Sequence, residues 1–350
     1  YKGILEIRDN DKLTSIDELQ YYRNITSVSL EGNKNLAGEL DFNKNPYLKN
    51  SIVVSNSPLV TKLDISGLKE LGFLSAHHMD GLTEAKVGNN PQMTILALYN
   101  NKLLTKIDES NLTALAILQA YHNRELTNIN TLNSPKIQSI NTKSDSKLTQ
   151  IEGLSDKDQL ENFEAWGNKI ESYDFSKMTK LKSINLIGSP VKEIKGLSAA
   201  GSNLTSLDLG STQISSLDVT QNTELQNLNL SYVKGITTLD LSNNTHLTKL
   251  TTNDSGIREL KLGSKNGLKK INVSSSNLSS LDISEAGTIE NIAVGLQTDA
   301  TGQNQQIKVT MTQQQKDYFD SKGIIFTENI ISDNSDKNRP NSNVKVVIKQ

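Results

Sequence analysis

The chain has 350 residues, with 37 basic against 39 acidic side chains, a net charge of −2, no cysteine, and 5% aromatic and 35% hydrophobic content. Near-balanced charge excludes the basic excess of a nucleic-acid binder and a polybasic membrane anchor. The missing thiols exclude a disulfide framework, thiolate metal sites and a Cys nucleophile. No apolar run approaches the ~18 residues that span a bilayer, so no membrane insertion is expected in this segment. The 38 asparagines are too many for an ordinary compact core and suit a turn-dense chain. The sequence opens on Tyr1 rather than Met, and removal of an upstream segment is the expectation.

In chain order, a partial first turn carries Leu5 and Ile7, and apolar starts then recur at Ile25, Leu48, Leu71, Met93, Leu115, Ile137, Leu160 and Leu181. The frame continues at Leu204, Leu225, Leu247, Leu268 and Ile289, with every step 21 to 23 residues long. The first half of each turn reads L-x-x-L-x-L. The second reads L-x-x-L-D-[LVI] or I-x-G-L. Alternation after each start predicts a short strand with one buried face. Such a strand cannot bury that face alone, whereas stacked copies bury a continuous column. The expected body is about 14 turns over residues 1–294. Ser51 falls where the second leucine of its turn is expected, and Ala85 replaces a leucine after Leu82.

Beyond the repeats, 307–326 reads strand, helix, strand. Thr312 serves as N-cap, Gln315 completes a capping box and Gly323 stops the helix. Residues 295–331 are expected to cap the stack. Residues 332–350 are expected to be a polar linker, with VKVVIK (344–349) as an added strand or the start of a further domain. DNSDKN (333–338) lacks the Gly and distant Glu of a calcium loop.

The L-x-x-L-x-L frame, with Asn two to three positions on at Asn33, Asn101, Asn123 and Asn168, resembles the leucine-rich-repeat family. The short period, LDVTQN and LDLSNN, and the IEGL and IKGL of 151–154 and 194–197 resemble internalin-type bacterial surface repeats. The resemblance implies an α/β leucine-rich-repeat solenoid, strand-rich with little helix. It also implies an extracellular or bacterial cell-surface location and an adhesin-like role.

The asparagines at turn ends read as structural, because a short amide satisfies backbone groups where the chain leaves a strand. The recurrent Asp64, Asp174, Asp218, Asp240 and Asp282 read the same way. With the leucines inward, the third, fifth and seventh positions face outward on the open sheet. The seventh column begins Glu31, Val54, His77, Tyr99, Tyr121, Lys143 and Trp166, then passes through Ile187 and Gly210 to small polar residues. The third column adds Phe73, Ile95 and Ile117. The expected ligand-binding set is Phe73, His77, Ile95, Tyr99, Ile117, Tyr121 and Trp166. An aromatic, apolar patch on an otherwise polar face suits an interaction site. Same-face stacking between neighbouring strands and a one-residue slip of frame are the alternatives.

No catalytic motif is present: there is no G-x-S-x-G, H-E-x-x-H, Walker A loop or G-x-G-x-x-G. No metal site or cofactor is expected. His77 and His122 lie two turns apart, about 10 Å, and adjacent His77 and His78 point to opposite sides if the strand continues. Glu164 and Asp208 are two turns apart and make a weak case for paired catalytic carboxylates. The reading is a monomeric, non-enzymatic module that binds an extracellular protein or glycan through its open strand face. A stalk projecting another domain from the cell envelope is the alternative.

Overall fold

A computed structural model describes residues 3–295, 297–299, 301–324 and 344–349. The chain divides into two units, Tyr1–Ile170 and Glu171–Gln350. The polar stretch 332–343, expected to be a linker, lies outside the described residues.

In the first unit, eight strands pair in parallel in chain order: Gly3–Arg8, Ile25–Glu31, Ser51–Ser55, Phe73–His77, Ile95–Ala97, Ile117–Gln119, Ser139–Asn141 and Asn162–Glu164. Leu74, Leu96, Leu118, Ile140 and Phe163 form one inward column, each at most 2% exposed. Several turns come back through a second strand. Ala37–Asp41, Leu59–Asp64, Glu84–Gly88 and Lys106–Glu109 make a four-stranded parallel sheet on that side. The second unit repeats the plan with Ser183–Asn185, Ser206–Asp208, Asn227–Asn229, Lys249–Thr251, Lys270–Asn272 and Asn291–Ala293. The chain is thus a parallel-strand solenoid of about 13 turns with very little helix, against about 14 turns expected. The first and last strands bound the count instead of each closing a turn.

The turns are held by amides as well as leucines. Asn101 and Asn123 are fully buried. Asn101 Nδ2 donates to Ala76 O at 2.9 Å, and its Oδ1 accepts from Met79 N at 3.0 Å. Asn123 repeats this one turn on, donating to Leu98 O and Ala120 O at 2.6 Å each and accepting from Asn101 N at 2.9 Å. The next rung is Asp145, also fully buried. Its Oδ1 accepts from Asn123 N at 2.7 Å, while Oδ2 has no partner. Burial pushes its carboxyl up to about 9. In the second unit Asn222 and Asn244 likewise donate Nδ2 to the preceding turn, at Leu197 O and Val219 O, but their buried Oδ1 atoms accept no hydrogen bond from the described residues. Buried Lys265 follows them, giving its ammonium to Leu241 O at 2.8 Å and to Leu262 O. The recurrent aspartates Asp64, Asp174, Asp218, Asp240 and Asp282 each accept the backbone N–H two residues on, closing a tight turn. Ala85 keeps its column inward and is fully buried.

At the C-terminal side the helix Gln313–Ser321 carries the expected capping box. Thr312 Oγ1 accepts Gln315 N at 3.2 Å, and Gln315 Oε1 accepts Thr312 N at 2.8 Å. Gln315 Nε2 also reaches Ile283 O and Ala286 O, at 2.7 Å each, tying the helix to the preceding turn. Gly323 has φ +71° and ends the helix. Strand Ile307–Met311 pairs in parallel with Ser280–Asp282 on one side and Val344–Ile348 on the other. The strand expected after the helix, ending at residue 326, lies partly outside the described residues.

Candidate functional site

The seven expected site residues all belong to the first unit, and the register explains which of them meet. Phe73 pairs with Ile95 and Ile95 with Ile117, so these three form one row across adjacent strands. Two positions on lie Ser75 and Ala97, only 7% and 3% exposed although they point outward. The flanking rows close over them. The second row is His77, Tyr99 and Tyr121. The His77 and Tyr99 rings stack at 4.6 Å and 5° between planes, and the Tyr99 and Tyr121 rings at 4.6 Å and 9°. That spacing matches the distance between neighbouring strands, about 4.8 Å. The backbone therefore dictates the ladder.

Lys143 ends the row, its ammonium 5.1 Å from the centre of the Tyr121 ring and 3.7 Å from Glu164 Oε2. Trp166 stands beyond Lys143. Its contact is with His122, edge-on at 6.5 Å and 87°. Six of the expected residues thus form one two-row patch, and Trp166 reaches it through His122. Burial raises the Tyr121 phenol, with Tyr99 adding to the effect. Burial lowers His77, with His78 second. Burial also lowers His122, with Lys143 and Arg124 behind it. Both histidines are therefore held toward the neutral form.

Three expectations need correction. Val54 does not belong to the seventh column: Leu30 pairs with Val54 and Glu31 with Ser55, so Val54 is inward and fully buried, and Ser55 stands beside His77. The same turn places Ile52 in the inward column, while Ser51 faces outward beside Phe73. One extra residue between Leu48 and Ile52 causes both shifts. The third correction concerns His78. It does not continue the strand but adopts φ +54°, and Asn56, Asn100, His122 and Ser144 adopt the same left-handed conformation at equivalent positions. Their N–H groups still donate to the next strand, as in Asn100 N to Tyr121 O at 2.9 Å and His122 N to Lys143 O at 2.9 Å. This bend turns His78 toward His77, and their Nδ1 atoms lie 2.9 Å apart. The alternation of a strand gives no sign of the bend. The run of Asn, His and Ser at one repeat position is the signal that identifies it, because Asn and His are enriched at positive φ.

Glu164 of the first unit and Asp208 of the second are each already engaged. Glu164 accepts Asn141 Nδ2 at 3.0 Å, and Asp208 accepts Gly210 N at 3.1 Å and Asn229 Nδ2 at 2.9 Å. Among the described residues no three His, Cys, Asp or Glu side chains converge as a metal cluster. No described helix is long and apolar enough to cross a membrane.

Comparison with solved structures bears on the architecture. The functional domain of InlJ from Listeria monocytogenes superposes with a TM-score of 0.64 at 22% identity, covering 88% of this chain and 73% of that one. The internalin InlF of the same species gives 0.57 at 22% identity, with coverages of 79% and 82%. The fold is an internalin-like leucine-rich-repeat solenoid. A further similarity is to the Toll–Spätzle complex of Drosophila, with a TM-score of 0.54 at 14% identity over 88% of this chain and 43% of that one. No family model and no curated protein sequence matches the chain.

Proposed function

We propose that this leucine-rich-repeat chain is a non-enzymatic recognition module, bacterial and surface-exposed or secreted, which binds an extracellular partner through the two-row patch of its first unit. The observation that carries the reading is the concentration of Phe73, Ile95 and Ile117 alongside the stacked His77, Tyr99 and Tyr121 on the outward face of three adjacent strands. Apolar patches with polar rims mark interaction surfaces, and rigid aromatics immobilised before contact reduce the ordering cost of binding. One structure of similar fold is that of the Toll–Spätzle complex.

Of protein and glycan, the stacking favours protein. Sugar rings pack on exposed aromatic faces, and here the faces of Tyr99 and Tyr121 are occupied by their neighbours and by Lys143. What remains outward is ring edges and hydroxyls beside an aliphatic row, which suits the mixed surface of a polypeptide. The test is a parallel protein-array and glycan-array screen of wild type, Tyr99→Phe/Tyr121→Phe and Tyr99→Ala/Tyr121→Ala. The expected hit is a protein, weakened at least tenfold in the Ala pair and measurably in the Phe pair. A hit that both variants retain removes the patch as the site. An absence of hits returns weight to the stalk alternative.

A further inference from the structure

We propose that His77 and His78 form a two-nitrogen chelating site for a divalent copper or nickel ion at one end of the ring ladder. This goes beyond the recognition reading and does not depend on it. The carrying observation is the approach of the two Nδ1 atoms to 2.9 Å, with the rings 81° apart. Each partner is held by a different feature of the fold. His77 is the terminal ring of the stack, fixed in plane against Tyr99. His78 is exposed, and its left-handed backbone folds the side chain back toward His77.

The separation is close to that of two ligands set at right angles on one ion. Imidazole nitrogens bind at about 2.0–2.1 Å, so two of them at right angles on one ion stand about 2.9 Å apart, whereas two on a tetrahedral ion stand about 3.3 Å apart. Right-angle geometry belongs to tetragonal copper(II) and nickel(II), and copper also heads the divalent affinity order. Tetrahedral zinc(II) fits less well. The metal-free pair is explained by one ring's Nδ1–H donating to the other's Nδ1 lone pair, so one ring carries its proton on Nδ1. When metal takes both Nδ1 lone pairs, that proton moves to Nε2 of the same ring, and a neutral pair binds without net proton release. The protein supplies two positions and leaves the others to water.

The test uses the full chain freed of metal by chelator, titrated calorimetrically with CuCl2 and, separately, ZnCl2, with copper EPR at one equivalent. His78→Asn is the informative variant, since Asn56 and Asn100 already hold the same left-handed position. His77→Gln is the second variant and His246→Gln, at an exposed histidine distant in sequence, is the control. The proposal expects one saturable copper site, nitrogen hyperfine structure from two imidazoles, and zinc binding at least tenfold weaker. It also expects at least tenfold weaker copper binding in His78→Asn and His77→Gln, with no change in His246→Gln. Equal copper affinity in wild type and His78→Asn, with unchanged melting, overturns it. So does an EPR spectrum with a single imidazole nitrogen, or the absence of saturable binding.

Discussion

Replacing Asp145 by Asn is expected to stabilise the chain, and by an amount that depends on pH. Asp145 occupies a rung where Asn101 donates Nδ2 to Ala76 O of the preceding turn and Asn123 donates to Leu98 O and Ala120 O of the preceding and its own turn. By repeat equivalence its Oδ2 faces the carbonyls of Ala120 and Thr142, where a carboxylate is repelled and a protonated acid or an amide is not. Accordingly the Oδ2 atom has no donor, and burial raises the group from 3.8 to about 9. A carboxyl raised on folding contributes its stability fully below the unfolded value and loses it as pH rises toward the folded one. Holding the proton at pH 7 then costs about 1.4 kcal/mol for each of the roughly three units above 3.8, on the order of 4 kcal/mol. Asn carries no such cost. The gain from Asp145→Asn is therefore expected to be on the order of 4 kcal/mol at pH 7 and under about 1 kcal/mol at pH 4. Melting midpoints of both proteins at pH 4 and pH 7 check this. The comparison cancels Glu109, which burial raises to about 8, and Lys265, which burial lowers to about 8. A gain that is the same at both pH values, or a loss at pH 7, refutes the reasoning.

Three further outcomes are expected. Tyr99→Ala removes two ring stacks at once and should cost about 1–3 kcal/mol of unfolding free energy, whereas Tyr99→Phe should cost under about 0.5 kcal/mol; similar losses in calorimetry would show that the stack is not what holds the ring. Gly196→Ala should destabilise by more than about 2 kcal/mol, because Gly196 has φ +75° and an added Cβ meets Ser176 Cα and N at 2.3 Å; a wild-type melting midpoint would refute that geometry. Gln315→Ala removes the capping box and the bonds to Ile283 O and Ala286 O and should cost about 2–3 kcal/mol. Faster amide hydrogen exchange confined to the helix and Ile307–Met311 would confirm that effect, and unchanged exchange would contradict it.

Much of this was determined by the sequence alone. The 21–23-residue period, the inward leucines and the capping box Thr312–Gln315 are patterns of residue type and spacing that show along the chain itself. The outward columns followed from alternation, which is why Phe73, His77, Ile95, Tyr99, Ile117 and Tyr121 could be grouped before their contacts were known. Tertiary structure decided what alternation cannot express. The extra residue before Ile52 left two registers open, and only the neighbouring strands chose the one that buries Val54 and turns Ser55 outward. The left-handed bend that brings His78 back to His77 is imposed by the need to keep each N–H bonded to the next strand while the chain leaves the sheet. The protonated Asp145 was invisible for a related reason: a carboxylate looks charged in sequence until the carbonyls of adjacent turns close around it and water is excluded.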